Sequence, residues 1–396
     1  MSRPLAASSL SSSQPKSGWA RSMQLWRAFA SRHGESDRYQ RSRADIDHLV
    51  EGRRGWHLLV LALLTMLCAV VCVVATSHGA VSLPYDTLLR LLALKLGVGS
   101  PDALPAAAEA ILWSIRIPRV VMALLVGAGL AMAGAALQGI FRNPLADPGL
   151  IGVSSGAALG AVFTIVGLGW LLPQGTTAVA PWLLPAVAFC GGGATTWVVY
   201  RLATRDGRTD VATLLLAGIA INAISGALLG VLIFLADDAQ LRSVTLWMLG
   251  SLASPPSQLL LWVGVPIAVG ATLLVRHAEA LNAFLLGERQ AGHLGVDVGA
   301  TRRTVVVASS LMVGAAVAFT GIIGFVGLVV PHLLRLIVGP DHRLLLPASA
   351  LLGAALLTFA DLLARTIAAP MEVPIGILTS LVGGPFFLAL LLRARR

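Results

Sequence analysis

Chemistry in this chain concentrates in three short polar stretches. Arg116-Ile-Pro-Arg119 sets two guanidiniums close together, and Asp361-Leu-Leu-Ala-Arg365 supplies a third. Arginine makes planar, bidentate bonds to carboxylate or phosphate that lysine cannot, so these residues suit either an acidic partner protein or lipid phosphate. Pro118 biases Ile117 toward an extended conformation and suits the start of a helix. The second stretch is Leu286-Gly287-Glu288-Arg289-Gln290-Ala291-Gly292-His293-Leu294-Gly295-Val296-Asp297, in which residues 288–294 predict two helical turns stopped by Gly295. A short helix flanked by two glycines is either a knob for a partner or an ordinary loop helix. In the third, Pro331 removes a ladder bond inside an apolar run and permits a bend, and His332 beside it either packs or faces a pathway.

Other chemistry is missing. The two lysines, Lys16 and Lys95, belong to no G-x-x-x-x-G-K-[ST] loop, so the chain does not hydrolyse nucleotide by that route. No Ser/His/Asp or Cys/His constellation stands out, and no motif calls for a cofactor. Cys68 and Cys72 share one apolar run at a packing spacing, Cys190 lies in another, and the histidines show no metal-ligand spacing. Ionisable groups that would form a proton or sodium relay in mid-membrane are scarce, which points to energy supplied by a partner.

These stretches sit between long apolar runs. The chain is 56% hydrophobic and only 12% charged, a combination that excludes an ordinary soluble domain and predicts an all-α polytopic membrane protein. Ten runs approach the roughly 20 residues that a span needs: 56–77, 120–141, 150–172, 181–200, 214–235, 259–275, 304–320, 322–338, 344–360 and 373–392. The sixth, seventh and eighth are short, and only Gly321 and Gly324 separate the last two of these. Loops carrying Arg201, Arg205, Arg208, Arg276, Arg302, Arg303 and Arg335 alternate with loops poorer in basic residues that hold Arg90, Arg116, Arg119, Arg242 and Arg365. The positive-inside tendency then places both termini in the cytoplasm and the second group outside. The net charge of +10 follows from this topology and from attraction to anionic lipid, and gives no case for nucleic acid. Small residues such as Gly127, Gly134, Gly314 and Ala318 predict close helix packing. The sequence predicts a separate Arg/Ser-rich cytoplasmic tail over residues 1–55, whose residues 19–30 suit either a basic amphipathic surface helix or disorder, ahead of a transmembrane domain over 56–396.

Phe141-Arg-Asn-Pro-Leu-Ala-Asp-Pro-Gly-Leu-Ile-Gly-Val-Ser-Ser-Gly156 joins two of the runs, with Asn143 and Asp147 placed to bond the local backbone. This string closely resembles a signature of the permease subunits of bacterial ABC importers for iron-siderophores, haem and vitamin B12. So do Gly324-Phe-Val-Gly-Leu-Val-Val-Pro-His-Leu-Leu-Arg335 and Glu372-Val-Pro-Ile-Gly-Ile-Leu-Thr-Ser-Leu-Val-Gly-Gly-Pro-Phe-Phe387, and the resemblance runs from about residue 56 to the end. It implies the ten-helix permease fold of vitamin B12 importers in the inner membrane. It also implies a homodimer over two ATPase subunits, fed by a periplasmic binding protein. In that family, arginines matching Arg116, Arg119 and Arg365 dock the binding protein, and the segment matching Gly287–Val296 couples to the ATPase. The Ala369-Pro-Met-Glu-Val-Pro-Ile-Gly376 version of the last motif is most similar to haem permeases, with a ferric siderophore and cobalamin as the other cargoes.

Overall fold

A computed structural model of the chain describes residues 35–79, 83–95, 97–98, 106–167, 181–206, 208–253 and 257–394; the expected surface helix over 19–30 lies outside them. The chain divides into a unit over residues 1–59 and a unit over residues 60–396. Of the first, residues 35–59 are described, as the first part of helix α1 (Glu35–Ser77).

In the second unit follow α2 (Tyr85–Lys95), α3 (Ala107–Phe141), α4 (Val153–Gly167), α5 (Leu183–Ala203), α6 (Val211–Phe234) and α7 (Asp238–Met248). They continue as α8 (Leu260–Arg276), α9 (Ala278–Leu285), α10 (Glu288–His293), α11 (Val298–Thr320), α12 (Val326–Val338), α13 (His342–Ala364) and α14 (Ile375–Ala394). The only strands among the described residues form a two-stranded antiparallel hairpin between α5 and α6, with Thr204 opposite Thr209. Seven of the helices are long and apolar enough to cross a membrane, and α4, α12 and α14 are shorter apolar helices. Together they match the ten predicted spans, one for one.

The core forms around α3, whose most apolar stretch is 78% buried against 11% for α6. Small residues make this packing. A Cβ on Gly127 would lie 2.2 Å from the carbonyl oxygen of Gly353 on α13, and one on Gly134 would lie 1.7 Å from that of Gly327 on α12. Backbones therefore touch directly, the arrangement that lipid-embedded helices use in place of hydrophobic drive. Gly327 is also the residue whose carbonyl Pro331 leaves without its helical donor.

Three expectations need correcting. The second span starts earlier than residue 120, because α3 runs through Ile111–Arg116 as a π-helical turn and then as α-helix from Ile117. Ile117 is helical, with φ −61° and ψ −49°, not extended. The wide π turn accommodates the missing N–H of Pro118 without ending the helix. The seventh span likewise starts at Val298, capped by Asp297, whose side chain accepts from Ala300 N, so Arg302 and Arg303 lie on a helix and not in a loop. The separation of the seventh and eighth spans holds. Gly321 adopts φ +71°, and a Cβ there would lie 2.0 Å from the Trp247 carbonyl oxygen, so only glycine fits the break.

Candidate functional site

The arginines expected at the outer surface converge, but they turn inward. Arg116, Arg119 and Arg365 are 3%, 6% and 6% exposed. Arg116 donates through Nη1 to the carbonyls of Thr76 and Ser77, each at 2.6 Å, and Arg365 donates to the carbonyl of Ala75. These carbonyls end α1 and have no helical donor, so two guanidiniums close its C-terminus, where positive charge is also favoured by the helix dipole. Arg119 holds Asp361 at 2.9 and 3.1 Å through Nε and Glu372 at 2.8 and 2.9 Å through Nη1. Arg365 Nε lies 3.4 Å from Asp361 on the same helix. The cluster ties together α1, α3, α13 and the segment before α14. An arginine at the rim of an apolar bundle must find acceptors, and here the protein supplies them. Asp361 and Glu372 are the partners that the sequence reading missed. The i,i+4 spacing of Asp361 and Arg365 was the available signal; Glu372 offered none.

At the other end of the spans, Glu288–His293 forms α10, one residue shorter than predicted. Gly287 has φ +114° and Gly295 φ +84°, backbone that glycine adopts without strain. Ala291 is buried and seats the helix, whereas Arg289, Gln290, Gly292, His293 and Leu294 are exposed. Leu286 and Leu294 stand 62% and 64% exposed on either side, which gives this knob an apolar rim. Behind it, buried Arg302 of α11 donates to Glu288 and to the carbonyl of Thr209 in the hairpin. Asn282 of α9 donates to Asp341 at 2.7 Å and accepts from the backbone N–H of His342 at 2.7 Å, which joins the knob region to the start of α13. None of these tethers was legible beforehand, because those to Thr209, Asp341 and His342 run between segments far apart in sequence and that to Glu288 depends on how α11 packs.

Between the two ends, Pro331 is buried inside α12, and both ring nitrogens of His332 are buried without a hydrogen-bond partner. The imidazole meets Phe386 of α14 edge-on, 6.4 Å between centroids. Arg335, three residues on, donates to Gln138 at 2.7 Å and to the carbonyl of Ala135 at 3.1 Å, and Gln138 donates to the carbonyl of Leu328 at 3.3 Å. The stretch of α12 around Pro331 is thus bracketed to α3 by polar bonds.

The loop over 142–152 folds as its residues predict. Asn143 accepts from Leu145 N at 2.9 Å and Asp147 from Gly149 N at 2.7 Å. Burial pushes the Asp147 carboxyl above the usual carboxylate range, and the Gly149 N–H opposes that shift. Asp210, at the start of α6, is held below that range by bonds from the Thr213 hydroxyl and N–H. Among the described residues, no group of His, Cys, Asp and Glu is arranged to hold a metal.

Comparison with known proteins supplies the family. The profile of the FecCD transport family matches residues 64–393. The hemin transport system permease protein HmuU of Yersinia pestis is 44% identical over 338 residues, which cover 85% of this chain and 96% of that protein. The cobalamin import system permease protein BtuC of Halobacterium salinarum is 44% identical over 314 residues, covering 78% and 79%. A solved structure described as an inward-facing conformation of a putative metal-chelate type ABC transporter superposes with TM-score 0.72 at 32% identity, covering 84% of this chain and 99% of that one. Ten apolar helices among the described residues, a signature loop and this breadth of match agree: the chain belongs to the FecCD transport family, as a permease subunit of an ABC importer.

Proposed function

We propose that the chain carries haem inward across the bacterial inner membrane, as a homodimer above two ATPase subunits and below a periplasmic binding protein. The observation that carries the cargo is the match to the hemin permease, which extends over 96% of that protein, against 79% for the cobalamin permease of equal identity. Cobalamin is the second reading, favoured by that same identity and by the vitamin B12 import permease of Salmonella paratyphi A, 41% identical over 310 residues. A ferric siderophore is the third. In this reading both termini are cytoplasmic, α10 with Gly287–Val296 fits a groove on the ATPase, and ATP is hydrolysed on that subunit alone. In the same reading Pro331 and His332 border the cargo path, with the imidazole packed against Phe386 and both its ring nitrogens buried.

Arg116, Arg119 and Arg365 serve docking through their field: three guanidiniums against the carboxylates of Asp361 and Glu372 leave excess positive charge at the outer face. Because all three are buried, reversing them would break the fold before it tested docking, so the informative changes are acid-to-alanine substitutions on the binding protein. Cargo is tested with dimer, ATPase and binding protein in lipid vesicles, offered haem, a ferric siderophore and cobalamin in parallel. ATP-dependent accumulation of haem with little uptake of the others is expected. Preferential uptake of either rival overturns the haem reading and leaves the family intact.

A further inference from the structure

We propose that the groove between α5 and α11 is a binding site for an anionic phospholipid, with an acyl chain along its apolar wall and the phosphate on Arg303. The groove has a volume of about 250 Å³ and is lined by Phe189, Gly193, Trp197, Tyr200, Arg303 and Val307, among others. Its floor is open at Gly193, where a Cβ would meet nothing within 4 Å. Trp197 and Val307 are 66% and 49% exposed, so the groove faces outward from this chain along a membrane span. An apolar furrow in that position is filled by hydrocarbon.

Charge decides the class of lipid. Arg303 is the only charged residue in the groove lining; it is exposed and makes no ion pair among the described residues. Tyr200 lies beside it, and its phenol oxygen accepts from the Thr209 hydroxyl at 3.4 Å, so its own O–H remains available to an outside acceptor. Thr196, 4% exposed, also lines the groove and has a buried hydroxyl with no hydrogen-bond partner. A phosphodiester supplies an acceptor for Arg303 and for the Tyr200 hydroxyl, and guanidinium binds it well. A zwitterionic headgroup would bring an ammonium as well, and the lining offers no carboxylate to receive it. Both Tyr200 and Arg303 sit at the end of the spans assigned above to the cytoplasm, so the lipid belongs to the inner leaflet. That leaflet assignment rests on the proposed orientation, whereas the site itself does not.

The test uses the full-length protein in phosphatidylcholine vesicles doped, in both leaflets, with brominated phosphatidylglycerol or brominated phosphatidylcholine. Emission of Trp197 is taken as the difference between wild type and Trp197→Phe. At equal mole fraction the glycerol lipid should quench with about fivefold greater apparent affinity, the gain expected of one guanidinium facing an anionic headgroup. Arg303→Gln should reduce that quenching to the phosphatidylcholine level, Arg303→Lys should keep part of it, and Gly193→Leu should remove the preference by filling the floor. Glycerol 3-phosphate should not relieve the quenching. Equal quenching by both lipids overturns the proposal, as does a preference that survives Arg303→Gln or relief by glycerol 3-phosphate. Shielding of Trp197 from both lipids would mean that protein covers the groove, and overturns it too.

Discussion

Gly134→Ala and Gly193→Ala make the same chemical change with opposite expected results. At Gly134 the new Cβ would lie 1.7 Å from the oxygen, 2.5 Å from the carbonyl carbon and 2.8 Å from the Cα of Gly327. All three are backbone atoms, so no rotamer can yield, and α12 must move away from α3 by well over an ångström. Overpacking a close-packed interior costs about 1–3 kcal/mol, and a backbone-to-backbone clash belongs at the upper end. Alanine returns up to about 1 kcal/mol of helix propensity, which leaves a net loss of about 2 kcal/mol, or some thirtyfold in the folded ratio. At Gly193 nothing lies within 4 Å of the new methyl, so the propensity gain stands alone. Helix-bundle membrane proteins unfold irreversibly on heating, so the assay compares apparent midpoints at one scan rate, read as the monodisperse fraction surviving heat in a single detergent. Gly134→Ala should melt several degrees below wild type and Gly193→Ala at or slightly above it. A Gly134→Ala protein that melts with wild type, or a Gly193→Ala protein that falls as far, refutes direct backbone contact as the source of core stability.

Asp361→Ala should destabilise by about 3–5 kcal/mol, because it removes the buried carboxylate between Arg119 and Arg365, whereas Glu372→Ala, at a half-exposed carboxylate, should cost about 1 kcal/mol or less. The same thermal assay reads both, and a smaller effect for Asp361 would contradict the cluster's structural role. Arg289→Glu, on the exposed face of α10, should leave the melting midpoint unchanged yet lower ATP-driven uptake at least about tenfold through like-charge repulsion at the ATPase; unchanged uptake removes α10 as the contact. Asp210 has a folded-state pKa below its unfolded value, so its contribution is present above about pH 4 and is lost as pH falls toward the folded pKa. Hydrogen exchange at residues 211–214 should therefore speed up on acidification relative to the rest of α6, and Asp210→Asn should flatten the dependence.

Span number was legible because ten apolar runs and their breaks are local features, and two glycines, Gly321 and Gly324, marked the break between two helices, which the positive φ of Gly321 makes. Helix starts were less legible. Pro118 reads as a beginning, but the π turn ahead of it absorbs the missing donor, and the capping by Asp297 lies outside the apolar run that marks the span. The candidate site was legible in composition and not in direction. Arg116, Arg119 and Arg365 were found, yet their acceptors are carbonyls at the end of α1 and carboxylates at positions 361 and 372. No local rule joins residue 116 to residue 76. The knob over 288–293 was visible because its two glycines bracket it, whereas the tether from Arg302 to Glu288 depends on how α11 packs.

In the proposed mechanism this permease moves cargo on ATP hydrolysed by a partner. Its most direct test is haem uptake into vesicles holding the purified chain and its binding protein, with and without the ATPase subunit, with an imposed proton or sodium gradient as the alternative energy source. The account predicts accumulation only with both the ATPase and ATP, unaffected by an ionophore that collapses the gradient. Gradient-driven accumulation in the absence of the ATPase would contradict it.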